Sequence, residues 1–100
     1  MALLHVDLQE GFTGDSVVVR VNGKEMFQKL GVRTRVQTGY ADSFETNVAD
    51  GSAEVEVVLP LRNLSESIHL EASEPVYLGV SLTREGRISY QVSHEPFGYL

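Results

Sequence analysis

Val17-Val18-Val19-Arg20-Val21-Asn22-Gly23-Lys24-Glu25-Met26 decides the reading of this 100-residue chain. Three β-branched residues at positions 17, 19 and 21 share one face of an extended segment, and the run stops at Asn22-Gly23. That dipeptide suits a two-residue type I′ turn, in which both central residues take positive φ. The turn fixes a register: Val21 opposite Lys24, Arg20 opposite Glu25, Val19 opposite Met26. An Arg–Glu cross-strand pair is consistent with that register and contributes at most about 1 kcal/mol.

The same period of two recurs outward in both directions. Leu4, Val6 and Leu8 alternate with polar residues, as do Val32, Thr34, Val36 and Thr38. Further on, the apolar positions are Ala53, Val55, Val57 and Leu59, then Ile68, Leu70 and Ala72, then Val76, Leu78, Val80 and Leu82, and finally Ile88, Tyr90 and Val92. Each run has one wet and one dry face, the pattern of an antiparallel sheet that covers a core on one side. Turn chemistry lies between the runs at residues 10–15, at Asp50-Gly51 (a second hairpin signal) and at Arg84-Glu85-Gly86-Arg87. Residues 24–30 are read as strand. A short helix capped by Asn22 and stopped by Gly31 is the competing reading. Phe44, Thr46 and Val48 are a further strand candidate, and residues 61–67 read as a connecting loop.

Seven to nine short strands with regular turns predict an all-β, antiparallel β-sandwich forming one domain over residues 1–100, immunoglobulin- or fibronectin-III-like in architecture. The paired cysteines and tryptophan of antibody domains are absent, so the likeness is one of architecture only.

Composition narrows the function. The chain lacks cysteine, which removes disulfide scaffolds and Cys-ligated zinc. A net charge of -6 argues against nucleic-acid binding by phosphate neutralisation, and no apolar run approaches the roughly 18 residues of a membrane span. Asp7 interrupts the first apolar run before it reaches signal-peptide length, so a cytoplasmic location is expected. Charge is segregated: residues 41–75 hold eight acidic groups and only Arg62, whereas residues 1–40 hold five basic and four acidic groups.

Chemistry-bearing patterns are sparse. His5, His69 and His94 lack zinc-site spacing, and a nucleophile elbow is absent. Gly11-Phe12-Thr13-Gly14 precedes no helical pattern, so it is not a phosphate cradle. Neither a cofactor, a metal nor a catalytic residue is assigned, and an enzyme is not expected. Two binding readings remain. The first is a non-catalytic module for protein–protein association, self-association included. Its candidate surface comprises the wet-face apolar residues Val18, Phe27 and Val58, the charged rows Arg33, Arg35, Glu54 and Glu56, and the apolar C-terminal residues Phe97, Tyr99 and Leu100. The second is a small-ligand module. It would take calcium on the turn carboxylates Asp15, Asp42 and Asp50, or carbohydrate on Tyr40, Phe44 and Tyr77.

Overall fold

Strand-forming alternation becomes eight strands in a computed structural model that describes residues 1–98. These are β1 (Ala2–Leu8), β2 (Thr13–Val21), β3 (Lys24–Arg33), β4 (Asp42–Val48), β5 (Ser52–Leu59), β6 (Leu64–Glu71), β7 (Val76–Leu82) and β8 (Ile88–Ser93). They form two four-stranded sheets of order β4-β1-β7-β8 and β3-β2-β5-β6, here called the first and second sheet. Their dry faces pack together as a β-sandwich. Among the described residues, no helix is long and apolar enough to cross a membrane.

The chain moves between the layers. It runs β1 in the first sheet, β2–β3 in the second, β4 back in the first, β5–β6 in the second, and β7–β8 in the first. Five pairs are antiparallel, but β1 and β7 are parallel, with Leu4 opposite Val76 and Leu8 opposite Val80. A parallel pair needs a long crossover, and here the second sheet together with β4 supplies it. The inward residues Leu4, Val6, Leu8, Val17, Val19, Val21, Val55, Val57, Leu59, Ile68, Leu78 and Val80 are all buried in one cluster.

Asn22 (φ 51) and Gly23 (φ 82) form the turn their chemistry predicts. Val21 lies opposite Lys24 and Arg20 opposite Glu25. Beyond that pair the expected register fails. A bulge leaves Met26 without a counterpart, so Val19 faces Phe27 and Val18 faces Gln28. Because side-chain direction alternates with each residue, one extra residue flips those that follow it, here until a second shift between Asp15 and Val17 brings Val32 back to the core. Phe27 therefore turns inward and stacks on Phe44 with ring centroids 5.2 Å apart; it does not extend a surface patch beside Val18. Arg20 sits across from Glu25 but donates to Glu56 on the other side, at 2.8 Å.

Other expectations also need correction. The segment expected as a strand over 32–38 supplies only the end of β3. A turn over residues 36–39 comes after it, closed by a bridge between Arg35 and Tyr40 and by the Gly39 amide donating to the Arg35 carbonyl at 2.8 Å. Asp50-Gly51 is not a hairpin turn, because β4 and β5 belong to different sheets; it carries the chain from one layer to the other. Residues 61–67 are not a loop, since a single 3-10 turn (Pro60–Arg62) leads straight into β6. Residues 24–30 are strand, and the helical alternative is not adopted.

Candidate interaction surface

A two-layer sandwich has two open sides, where the edge strands of the sheets meet. Here the two sides are built differently. On one side the edge strands are β3 and β4. The Phe27–Phe44 stack bridges them, and Lys29 Nζ donates to Asp42 Oδ2 at 2.5 Å. β3 is also interrupted by register shifts and carries Lys24, Glu25, Lys29 and Arg33. Charges and bulges of this kind keep an edge strand from pairing with foreign strands. This side is closed.

The other side is formed by β6 and β8. β6 displays Glu66, His69 and Glu71. β8 reads Ile88-Ser89-Tyr90-Gln91-Val92-Ser93, with no charge, no proline and no glycine. It pairs with β7 residue for residue, from Leu82–Ile88 to Tyr77–Ser93, without a bulge. Of its inward residues, Ile88 packs against the core, but Tyr90 and Val92 fall outside the cover of the second sheet and are 47% and 48% exposed. An unpaired, regular, uncharged edge with half-open apolar side chains is the kind of strand that accepts another strand.

Alternation places Tyr90 and Val92 on a dry face and does not reveal that this face is left open. The available signal was that β8 lacks any residue that protects an edge, but alternation alone does not show which strand ends a sheet. The residues expected to form the surface are scattered. Val18 and Val58 do lie opposite each other on the outer face of the second sheet, but Val18 is only 7% exposed. Arg33 and Arg35 are exposed; Arg33 ends β3, which β2 separates from β5, and Arg35 lies beyond the strand. Glu56 receives Arg20, and His69 Nε2 lies beside Glu54 at 3.5 Å. Phe97 is half-buried, and Tyr99 and Leu100 lie outside the described residues.

The three turn aspartates also occupy separate places. Asp15 receives Arg62 Nε at 2.5 Å, Asp42 receives Lys29, and Asp50 lies 3.3 Å from the amino group of Met1. Burial alone would raise the Asp15 pKa, but the hydrogen bonds from Arg62 and from the Thr13 amide outweigh it and hold the carboxyl below its ordinary range. Asp42 is depressed in the same way, by Lys29 and the Ser43 amide acting against burial. Among the described residues, no group of three or more His, Asp or Glu side chains is disposed to hold a metal ion. Phe44 faces the core, while Tyr40 and Tyr77 line a depression.

That depression, about 370 Å³, lies on the outer face of the first sheet. Strand pairing brings His5 of β1 beside Glu45 of β4 and Tyr77 of β7. His5 Nδ1 is 2.7 Å from Glu45 Oε2 and its Nε2 is 2.5 Å from Asp7 Oδ1, with Asp7 only 3% exposed. A carboxylate oxygen accepts and does not donate, so two such partners favour the ring form that carries a proton on both nitrogens. Burial alone would lower the His5 pKa, but the hydrogen bonds to Glu45 and Asp7 and their charges outweigh it and raise it above 6.5. A pKa raised by folding stabilises the native state wherever the ring is protonated. That contribution is complete below about pH 6.5, the unfolded value, and is lost as pH rises through the folded value. Urea titrations at pH 6 and pH 8.5 are expected to show this loss in the native chain, with a smaller loss in His5→Gln. Equal losses in both would exclude the charged ring.

Sheet order, a closed side and an open side define an all-β sandwich with one unprotected edge. No family model, curated protein or solved structure significantly matches the chain.

Proposed function

We infer that this chain is a non-catalytic interaction module that associates with protein by accepting a strand at the β8 edge. The observation that carries this reading is the contrast between the two sides of the sandwich: one is closed by an aromatic stack and an ion pair, the other ends in a regular, uncharged strand. Strand addition supplies main-chain hydrogen bonds for affinity, and pockets for alternate side chains provide selectivity. The half-open side chains of Tyr90 and Val92 offer an apolar strip beside the new strand.

Panning a library of random linear peptides against the chain tests this. Selected peptides are expected to bind the native chain and to lose about tenfold or more in affinity on Val92→Lys, because an inward-facing lysine blocks an edge. Gln28→Lys on the opposite edge strand should leave binding unchanged. Peptides that bind Val92→Lys as well as the native chain, or a library that enriches none sensitive to it, would remove the β8 assignment.

A further inference from the structure

Strand pairing sorts the connections between strands into two ends of the sandwich. Residues 9–12, 34–41, 60–63 and 83–87 lie at one end, because Leu8 is opposite both Asp42 and Val80, Thr13 is opposite Arg33, and Leu59 is opposite Leu64. Residues 22–23, 49–51 and 72–75 lie at the other. The first end carries Arg35, Arg62, Arg84 and Arg87 in its connections and Arg33 at the last position of β3, five of the chain's eight lysine and arginine residues. Its connections hold two acids, Glu10 and Glu85. Nearby, Asp15 and Asp42 are already held by Arg62 and Lys29. The connections of the second end contain Asp50 and Glu74 and no lysine or arginine. A basic pole therefore lies within a chain of net charge -6.

Four of these arginines, Arg33, Arg35, Arg84 and Arg87, are exposed and make no salt bridge among the described residues. Two aliphatic side chains stand at the same end. Val36 follows Arg35 and is 93% exposed; Leu61 precedes Arg62 and is 80% exposed. Apart from Met1, they are the most exposed large apolar side chains among the described residues.

We propose that this end of the sandwich binds the surface of an anionic lipid bilayer, with the arginines on the headgroups and with Val36 and Leu61 entering the headgroup–acyl boundary. A guanidinium pairs with phosphate or carboxylate through two parallel hydrogen bonds. Each basic residue near an anionic leaflet adds to the affinity, and each apolar side chain that leaves water adds a further increment. Two tips on separate connections suit a deformable bilayer, which requires no shape complementarity, whereas a protein interface centres on anchors seated in pockets. Nucleic acid would use the arginines and leave both tips in water. The acidic remainder of the molecule does not prevent the contact. β2 is nine residues long, which sets the two ends about 30 Å apart, several times the Debye length of about 8 Å at 0.15 M salt. The acidic pole then faces away from the bilayer and sets the orientation. Tyr90 and Val92 lie further along β8 than this end, so the basic pole and the strand-accepting strip are separate surfaces.

Co-sedimentation with vesicles tests the assignment. The chain should bind phosphatidylcholine vesicles that hold about 30% phosphatidylserine, and bind pure phosphatidylcholine about tenfold more weakly or less. Raising salt from about 0.1 M to about 0.5 M should release it. Arg35→Ala and Arg84→Ala should each lower binding about fivefold. Val36→Asn with Leu61→Asn, which leaves every charge in place, should lower it about tenfold or more. Glu74→Gln at the far end should leave binding unchanged. All these side chains are exposed, and far-ultraviolet circular dichroism checks that each variant is folded. Absence of binding to the charged vesicles, or binding that the paired tip substitution leaves intact, would overturn the proposal. Equal retention on a polyglutamate peptide, again insensitive to the tips, would overturn it in favour of an acidic protein partner.

Discussion

Truncating Phe12 to alanine is expected to cost about 3–5 kcal/mol of folding stability. Phe12 is 1% exposed and is the largest fully buried side chain in the core. It lies in the connection between β1 and β2, where the chain passes from the first sheet to the second. Its backbone is held on both sides: its amide donates to Thr34 Oγ1 at 3.0 Å, and its carbonyl accepts from the Thr34 amide at 2.8 Å. The Thr34 hydroxyl in turn donates to the Gln9 carbonyl at 2.6 Å. With the backbone anchored, the surroundings have little freedom to collapse into the space left by the ring, which is the condition under which a cavity costs most. A domain of this size has about 5–15 kcal/mol in total, so the variant should be close to unfolding at the lower end. Urea denaturation followed by far-ultraviolet circular dichroism measures the change. Phe12→Leu, which keeps most of the volume, should lose less than about half as much. A loss below about 1 kcal/mol in Phe12→Ala would show that the ring does not plug the sandwich.

Gly11→Ala should be nearly as damaging, for a different reason. A Cβ at position 11 would lie 2.1 Å from the Leu82 carbonyl oxygen and 2.8 Å from Leu82 Cβ, and Gly11 also has φ +91. The contact is with backbone at the end of β7, so a side-chain rotation does not relieve it. Separating the two segments strains the hydrogen bond from the Leu82 amide to the Glu10 carbonyl, 2.8 Å long, and with it the far end of the parallel β1–β7 pair. A loss of about 3 kcal/mol or more is expected, equivalent to a fall of roughly 12–24 °C in melting temperature for a domain of this size. Gly23→Ala provides the comparison. Gly23 has φ +82, but a Cβ there meets nothing within 4 Å, so only the conformational cost of about 1–2 kcal/mol applies. Equal melting temperatures for the two variants would show that the close approach of residues 11 and 82 does not exist in solution.

Both substitutions act where β1, β2 and β7 meet, at the opposite end of β8 from Val92. They and the edge variants are separable: Val92→Lys should lower association and leave the core packing near Phe12 intact.

Period-two alternation was sufficient to identify the buried face of nearly every strand. Leu4, Val6 and Leu8, Val55, Val57 and Leu59, and Leu78, Val80 and Leu82 are all inside, as their spacing predicts. Phe27 shows the limit of that reasoning. One unpaired residue at Met26 turns Phe27 inward, a second shift further along β3 returns Val32 to the core, and neither irregularity has a compositional mark. The turns were legible where they join partners in one sheet, at Asn22-Gly23 and at residues 84–87. Asp50-Gly51 has the same chemistry and joins different sheets, because a local turn preference does not specify which strand receives the chain.

The candidate surface was legible only in kind. Segregated charge and stray apolar residues suggested an interface, but Phe27 turns inward and the other described residues named for it are dispersed, with Tyr99 and Leu100 outside the described residues. His5 gained its partner Glu45 from β4, forty positions along the chain, and Tyr90 and Val92 became exposed because β8 has no strand beyond it. The order of residues alone determined that this chain builds two layers of strands with an apolar interior, because the facing of a side chain depends on its immediate neighbours along the backbone. Which strands became neighbours, which side of the sandwich closed and which edge stayed bare were decided only in the assembled fold. Those properties depend on contacts between segments distant in sequence, whose free energy is realised only when all of them are in place together.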